Sequence, residues 1–402
     1  MTNRIRFSLI TVSSFLLAYI VLGGLLGRSD SSSEKAYRDL GVYSEVLTRI
    51  KQDYVTEPNL KKVTDGAIRG LIEALDPYST YLSPQEYQDY LAHPDPGPAT
   101  VGLFVSKRMG FATVVSVLPG GPAEKAGVKP GDLIDRIENT GTRELSVVQI
   151  QRLLAGAPES TVTLAVVREA PDKPQKITIT RAILTYPPPV AKLVDDGTGY
   201  IRVATFNKGK AGEIGAKLKE LTSEGASKIV LDLRNCAGGE VEEAENTVDL
   251  FMDKGLITYV QGQRYPREDV NAKPVGALCR LPLAVLINQS TAGPAEIVAS
   301  ALLGNKRAEV VGTRSFGVGV VQKMIQVGDG SALLLSVAKY YGPDGKAIHD
   351  NGVTPSVVQA AGTDENADDQ GETDEPEHFG GKDDQQLQKA IEVLKSAPPK
   401  PA

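Results

Sequence analysis

The chain has 402 residues, of which 41% are hydrophobic and 23% charged, and its formal net charge is -6. A chain of this length is too long to form one ordinary hydrophobic core, so we expect two or three folded units. Its net negative charge offers no basic surface for nucleic acid.

Two cysteines, Cys236 and Cys279, are too few for a disulfide scaffold. We expect free core thiols, although one bridge stays open. The histidines at 93, 349 and 378 do not lie beside another plausible ligand or base in sequence, which disfavours a zinc site and a histidine-based triad. No cofactor is predicted.

The first 28 residues predict a membrane signal anchor. Arg4 and Arg6 precede an apolar stretch, residues 7–27, that is about long enough to cross a bilayer as one helix. A cleaved signal peptide is the alternative, but the stretch is longer than a usual hydrophobic region and lacks a clear cleavage site. The basic residues favour a cytoplasmic N-terminus. The rest of the chain is therefore predicted on the periplasmic side of a bacterial inner membrane.

Residues 36–95 predict a small helical domain. Apolar side chains recur at helical spacing in residues 43–54 and 60–74, so two amphipathic helices that can pack on each other are expected. Ser83 and Glu86, on either side of Pro84, form the pattern of a capping box that opens a third helix. Proline-rich residues 93–98 then predict a stiff linker.

Residues 99–183 predict a β-rich domain with one helix at 146–155. Within it, residues 121–134, GPAEKAGVKPGDLI, closely resemble the PDZ signature. The resemblance implies that backbone amides in the preceding loop bind the terminal carboxylate of a peptide, which then adds as a strand. The alternative is a PDZ domain kept as a structural spacer. The peptide-binding residues that the resemblance implies are Val101, Gly102, Leu103, Phe104 and Val105.

Residues 186–358 predict an α/β core, because apolar strand segments alternate with amphipathic helices. The predicted strands are 199–206, 229–233, 283–287 and 310–311, the helices are 211–221, 242–251 and 295–303, and a hairpin joins 320–328 to 332–339. Residues 359–402 are predicted as an acidic disordered tail with a short helix at 385–394.

The order of helical pair, PDZ domain and α/β core resembles the carboxyl-terminal processing, or tail-specific, serine proteases over residues 38–358. The runs that carry the resemblance are GYIRV at 199–203, LDLRN at 231–235 with glycines at 238 and 239, and YYGPDG at 340–345. It implies a crotonase-like core and an activity that clips exported proteins once the PDZ domain has engaged their C-terminal tails. It also implies a serine nucleophile, a lysine base and a supporting glutamine.

Neither catalytic side chain stands at its matching position. The family run ASASEI aligns without a gap with AGPAEI at 292–297, so Gly293 replaces the serine. The family run GKG, followed three residues later by glutamine, aligns with residues 317–322, so Val318 replaces the lysine while Gln322 is kept. A serine route needs both a hydroxyl and a neutral amine, so acylation is predicted to stall.

The resemblance also implies an oxyanion site, built from an amide of the Gly238–Gly239 loop and the amide after the nucleophile. Pro294 follows position 293 and has no N–H, so this second donor is predicted to be missing. We interpret Glu296 as a helix cap and Arg234 as a member of a surface or pocket pair.

These substitutions predict a membrane-anchored pseudoprotease that binds C-terminal tails of exported or membrane proteins, with an active homologous protease as a candidate partner. Self-association stays open. The alternative is an active C-terminal processing endopeptidase with relocated catalytic groups, for which Ser290 and Cys236 are the candidate nucleophiles. Structural roles are expected for Thr291, Ser315 and Lys306.

Overall fold

A computed structural model describes residues 31–94, 96–108, 110–168, 174–274, 276–361 and 379–396. The predicted anchor at 1–28 and the acidic stretch at 362–378 lie outside these ranges. Within them, none of the helices combines the length and the apolar character that crossing a membrane requires. The chain divides into two compact units, one ending at Gly70 and one beginning at Leu71.

The N-terminal helices have amphipathic sequences, but the side chains that the structure describes in the first of them, at positions 40–53, include no buried one. Helix α1 spans Ser31–Asp53 and helix α2 spans Leu60–Glu73, where the unit boundary falls within α2. No residue of α2 is buried. The second predicted apolar stripe therefore stays accessible.

A short strand and a capped helix follow in the second unit. Strand β1 spans Thr80–Leu82 and helix α3 spans Pro84–Ala92. The Ser83 hydroxyl accepts the amide of Glu86, while the Glu86 carboxylate accepts the amide of Ser83 at 2.8 Å. The predicted capping box is confirmed.

The PDZ region forms one antiparallel sheet in the order β2-β3-β4-β6-β7, with β5 paired to β4. Apolar side chains that alternate along these strands meet the buried face of α5 in one core. The elements are β2 (Leu103–Arg108), β3 (Phe111–Val117), α4 (Pro122–Lys125), β4 (Leu133–Ile137), β5 (Thr140–Gly141), α5 (Val147–Leu154), β6 (Thr161–Val167) and β7 (Gln175–Thr180). Strand β2 is an edge of this sheet.

The α/β core is built on a six-stranded sheet in the order β17-β14-β13-β10-β9-β8, parallel throughout except for the β8–β9 pair. Helices α6, α7 and α8 cover one face. The elements are β8 (Val190–Val194), β9 (Thr198–Arg202), α6 (Lys210–Ser223), β10 (Lys228–Asp232), α7 (Val241–Asp249), β13 (Leu283–Ile287), α8 (Pro294–Gly304), β14 (Glu309–Gly312) and β17 (Val357–Val358). Because β10, β13 and β14 are parallel neighbours, the loops after them emerge at one edge.

A second, antiparallel sheet has the order β1-β16-β11-β12, and β15 also pairs with β16. Its remaining strands are β11 (Leu256–Gln261), β12 (Glu268–Asn271), β15 (Val320–Gln326) and β16 (Ala332–Tyr341). The predicted hairpin at Asp329 and Gly330 is confirmed, since the amide of Val327 bonds to the carbonyl of Ser331 at 2.8 Å.

The predicted helix of the C-terminal tail is present as α9, Gln385–Ser396, but it packs on the core. Leu387, Ala390, Ile391 and Leu394 are buried on the face of the main sheet opposite α6 to α8. These residues are three or four positions apart, which is the spacing of an apolar stripe on one face of a helix. The acidic residues before the helix led to the prediction of a disordered tail instead of a packed element.

Candidate active site and peptide-binding groove

The predicted nucleophile position lies at a sharp turn between strand β13 and helix α8. Gly293 has φ 66° and ψ -123°, a conformation that side-chain-bearing residues rarely adopt. A Cβ atom built at Gly293 would have no neighbour within 4 Å, so the turn has open space beside it. Pro294 is the first residue of the helix and contributes no amide to this space.

A buried carboxylate holds this turn to the loop that carries Val318. Glu296 accepts hydrogen bonds from the Ser315 hydroxyl and from the amides of Gly293 (2.9 Å), Gly317 (2.7 Å) and Val318 (2.8 Å). Burial raises the pKa of Glu296 to about 7, although these four donors lower it. The predicted capping role of Glu296 is confirmed.

Positions 318 and 322, the other two positions of the predicted catalytic site, have structural roles. Val318 is half-buried and lies in an apolar cluster with Phe104, Phe316 and Ala292. Gln322 donates its side-chain amide to the carbonyl of Tyr78 at 2.8 Å. The glutamine therefore supports the loop before β1.

The Gly238–Gly239 loop lies beside the turn, as the shared edge of parallel strands requires. Ala237 forms a bridge with Ala292, and the amide of Ala292 donates to the carbonyl of Cys236 at 3.0 Å. The Phe104 ring of the PDZ domain packs against Gly238. Thus the PDZ domain contacts the core at this edge.

The candidate replacement nucleophiles, Ser290 and Cys236, are buried, and so are the nearby hydroxyl residues Thr291 and Ser315. Cys236 has no exposed surface, and burial raises the pKa of its thiol. Thr291 donates its hydroxyl to the Leu233 carbonyl, and Ser315 donates to Glu296. Ser290 is buried, and its amide bonds to the side chain of Asn288.

Lys306 is not placed beside these residues. Lys306 is exposed and follows the C-terminal end of α8, whereas Gly293 precedes the N-terminal end. Across the residues that the structure describes, no serine, threonine or cysteine side chain hydrogen-bonds to a lysine or histidine side chain. The two cysteines are free thiols.

The predicted peptide-binding residues lie in the loop before β2 and in the first three residues of that strand. Gly102 has φ 78°, and its carbonyl accepts the amide of Leu118 at 2.9 Å. Val101 and Val105 are buried in the PDZ core, Leu103 packs against that core, and Phe104 faces the α/β core. Strand addition would therefore use the backbone edge of β2 rather than these side chains.

Sequence reasoning missed a cavity of about 380 Å³ between the PDZ domain and the α/β core. His349, Tyr78 and Ser106 meet there although they are far apart in the chain. The Tyr78 hydroxyl lies 2.7 Å from the Ser106 hydroxyl, and the Tyr78 ring lies edge-on to the His349 ring at 5.5 Å. Burial raises the pKa of Tyr78 to about 12, so its phenol stays protonated near neutral pH. Local sequence carries no signal for this contact.

Comparison with known proteins agrees with this arrangement. Residues 197–359 match the model of peptidase family S41, and residues 113–168 match a PDZ domain. The carboxy-terminal-processing protease of Bartonella bacilliformis is 32% identical over 335 residues, which cover 82% of this chain and 76% of that protein. The chain belongs to the carboxyl-terminal-processing protease family.

Other members of this family are similar to the chain in sequence and in structure. The carboxy-terminal processing protease CtpA of Bacillus subtilis is 31% identical over 349 residues, covering 86% of this chain and 74% of the relative. The solved structure of a photosystem II D1 C-terminal processing protease superposes with a TM-score of 0.63 at 28% identity, covering 79% of this chain and 92% of that one. The predicted family, PDZ domain and α/β protease fold are confirmed.

Proposed function

We propose that this family member is a catalytically impaired protease that binds the C-terminal tails of exported or membrane proteins. The observation that carries the proposal is the turn between β13 and α8, where Gly293 stands at the position expected for serine and Pro294 follows it. Val318, at the position expected for lysine, packs in an apolar cluster. A nucleophile, a base and one oxyanion donor are therefore lacking together.

Tail binding is supported by the edge of β2 and by the backbone before it. A peptide can pair with this edge, and the conformation at Gly102 lets a terminal carboxylate approach the loop closely. Such binding needs no catalytic side chain. The protein would then act as an adaptor or decoy, with an active homologous protease as a candidate partner.

Anchoring in the inner membrane belongs to the same proposal and rests on residues 7–27 alone. Membrane fractionation, followed by external protease treatment of spheroplasts, tests it. Retention in the membrane and digestion from outside are expected. Recovery of the whole chain in the soluble fraction would contradict the anchor.

The activity test uses the full-length chain and an unfolded substrate with an apolar C-terminus, with cleavage products measured by mass spectrometry. We expect binding without cleavage. Cleavage that disappears when a single core residue is mutated would overturn the proposal.

The binding test compares two asparagine substitutions at glycines with positive φ. Gly102→Asn places a side chain against Leu118 and Pro122, where a Cβ already lies 3.3 Å from the Leu118 side chain. Gly110→Asn, in the turn after β2, has open space. Gly102→Asn should abolish capture of a labelled apolar-tailed peptide, while Gly110→Asn should bind as the wild type does.

A second function, an active endopeptidase with relocated groups, is favoured by the fact that the relatives are named proteases. It requires a reactive hydroxyl or thiol. Labelling with a fluorophosphonate and with an acylating thiol probe, followed by mapping of the modified peptide, decides between the two. An adduct on Ser290 or Cys236 would favour the active enzyme, and the lack of any adduct favours the pseudoprotease.

A further inference from the structure

The turn at residues 233–236 follows strand β10 and is tight. The amide of Cys236 donates to the carbonyl of Leu233 at 3.2 Å, so Arg234 and Asn235 are the two central residues of the turn. Asn235 has φ 55°, in the left-handed region, and its side-chain nitrogen is buried without a hydrogen-bond partner among the residues that the structure describes. A buried donor without an acceptor costs free energy, so contacts from outside the turn must hold it in this conformation.

The C-terminal segment, residues 379–396, holds the first central residue, Arg234. The Nη1 and Nη2 groups of Arg234 donate to Asp384 at 2.9 and 2.6 Å, and Nη1 also donates to the side-chain oxygen of Gln386 at 3.0 Å. The guanidinium carbon lies 3.9 Å from the centre of the Phe379 ring. Because the segment supplies both acceptors of Nη1, its docking fixes where the Arg234 side chain lies.

The PDZ domain holds the second central residue, Asn235. Ser116 of strand β3 donates its hydroxyl to the backbone carbonyl of Asn235 at 2.5 Å, and both residues are buried. Ser116 is the cross-strand partner of Phe104 in β2, and the Phe104 ring packs against Gly238, two residues after the turn. The strand whose edge is proposed to bind tails is therefore joined directly to the turn.

Release of the segment would change the contacts of Arg234. The Nη1 group would lose both acceptors and turn to water, whereas Asp232 of β10 would keep its bonds to Nε and Nη2. Asn288 would still bind the amide and the side-chain oxygen of Asn235, at 3.0 and 2.7 Å. The turn would stay attached to the core, but the restraint on its conformation would be weaker.

We propose that the C-terminal segment positions the PDZ domain on the core through this turn. Docked on the main sheet, the segment fixes Arg234, the adjacent peptide unit places the Asn235 carbonyl, and that carbonyl holds β3 and its neighbour β2. Release of the segment lets the PDZ domain separate from this edge of the core. The inference rests on the proposed tail binding only in that a fixed β2 loses less entropy when a tail pairs with it.

The first test needs no peptide and measures the distance between the two domains of the full-length chain by pulsed electron paramagnetic resonance. Lys125→Cys in α4 and Lys219→Cys in α6 carry the spin labels, since both positions are exposed and the two native cysteines are buried. The parent chain should give one narrow distance with a small population at longer distances. Asp384→Asn should raise that population about tenfold, because a charged acceptor of Arg234 is replaced by a neutral one.

The matched control is Asp383→Asn, at the neighbouring carboxylate, which is exposed and has no hydrogen bond within the described part of the chain. It should leave the distance distribution unchanged. Gln386→Ala removes only the neutral acceptor of Nη1 and provides a milder second variant, which should shift the distribution in the same direction as Asp384→Asn. Distributions equal to that of the parent chain for both Asp384→Asn and Gln386→Ala would overturn the inference.

A double-mutant cycle tests the path through the turn. Ser116→Ala removes the hydrogen bond to the Asn235 carbonyl. If the segment acts through that bond, adding Asp384→Asn to Ser116→Ala should raise the separated population no further than Ser116→Ala alone. Independent effects that multiply to about a hundredfold would overturn this path.

The last test connects the position of the PDZ domain to tail capture. Asp384→Asn should weaken the binding of a labelled apolar-tailed peptide about fivefold, while Asp383→Asn should bind it as the parent chain does. Equal affinities of the two variants would overturn the effect on tail binding. If no version of the chain binds the peptide, the proposed function is refuted, whereas the distance measurement still decides the positioning role of the segment.

Discussion

Gly293 and Val318 donate their backbone amides to the same atom, the Oε2 oxygen of Glu296, at 2.9 and 2.8 Å. The turn before α8 and the loop before β15 are therefore joined through main-chain donors. Neither bond needs a side chain at position 293 or 318. The geometry around the predicted active site can persist after a catalytic serine and lysine are lost, because it depends on Glu296.

The first prediction concerns the pH dependence of stability. Glu296 has a pKa of about 7 in the folded chain against an ordinary value of 4.5, so between these values the folded state binds more protons than the unfolded state. Stability conferred by the protonated group is complete below about pH 4.5 and is lost as pH rises through about 7. The free energy of unfolding, measured with urea, should fall between pH 5 and pH 8 by about 3 kcal/mol more for the wild type than for Glu296→Gln.

The glutamine variant will be less stable overall, because it cannot accept all four hydrogen bonds, so only the trend with pH is compared. Glu242→Gln, at an exposed glutamate of α7, should retain the pH trend of the wild type. Parallel curves for the wild type and Glu296→Gln would contradict the buried-acid account.

The second prediction concerns restoration of catalysis. Gly293→Ser together with Val318→Lys should not give full activity, because Pro294 still lacks an amide at the oxyanion site. Adding Pro294→Ala should raise the cleavage rate at least about a hundredfold. The measurement is turnover of an unfolded, apolar-tailed substrate. If the double and triple variants cleave equally fast, the oxyanion account is wrong.

The third prediction concerns the buried ion cluster that joins α9 to the core. Arg234 contacts the carboxylates of Asp232 and Asp384, and all three side chains are nearly inaccessible. Arg234→Met removes the positive charge that two buried carboxylates share, which should lower the free energy of unfolding measured with urea by about 3–5 kcal/mol. Arg267→Met breaks an exposed pair with Asp269 and should change stability little. Equal effects of both changes would contradict the cluster's role.

The fourth prediction concerns the cysteines. Cys236 and Cys279 are buried free thiols, and burial raises the pKa of each. Native alkylation with iodoacetamide at pH 8 should leave Cys236 unmodified, whereas alkylation in urea should modify both residues. Mass spectrometry checks the result. Rapid labelling of Cys236 in the native chain would instead support the relocated-nucleophile hypothesis.

Sequence reasoning located the elements whose patterns are local. Strand β13 was predicted with its final bounds, because five consecutive apolar residues end at a polar turn. Helix α5 was predicted from an amphipathic run, and Ser146 is its N-cap, with a capping box, one residue before the helix begins. The turn at Gly293 followed from a motif that aligned without a gap.

Features that depend on contacts between residues far apart in the sequence were not predicted. Strand β12, with the sequence EDVN, is too polar to read as a strand and forms only through pairing with β11. Arg234 was expected in a surface or pocket pair but is buried against Asp384, which lies 150 positions away. The cavity at His349 likewise joins the loop before β1, strand β2 and two loops of the α/β core. No local periodicity encodes such contacts.

The docking of α9 sets the length of chain that can fold. The family match ends at residue 359, but Leu387 and Ile391 cover Tyr200 and Val230 on the outer face of the main sheet. A recombinant fragment that ends at residue 359 would expose that apolar face to water. It would also lack Asp384, one of the two carboxylates that pair with Arg234. Such a truncated protein should aggregate, so the smallest soluble version must extend to Ser396.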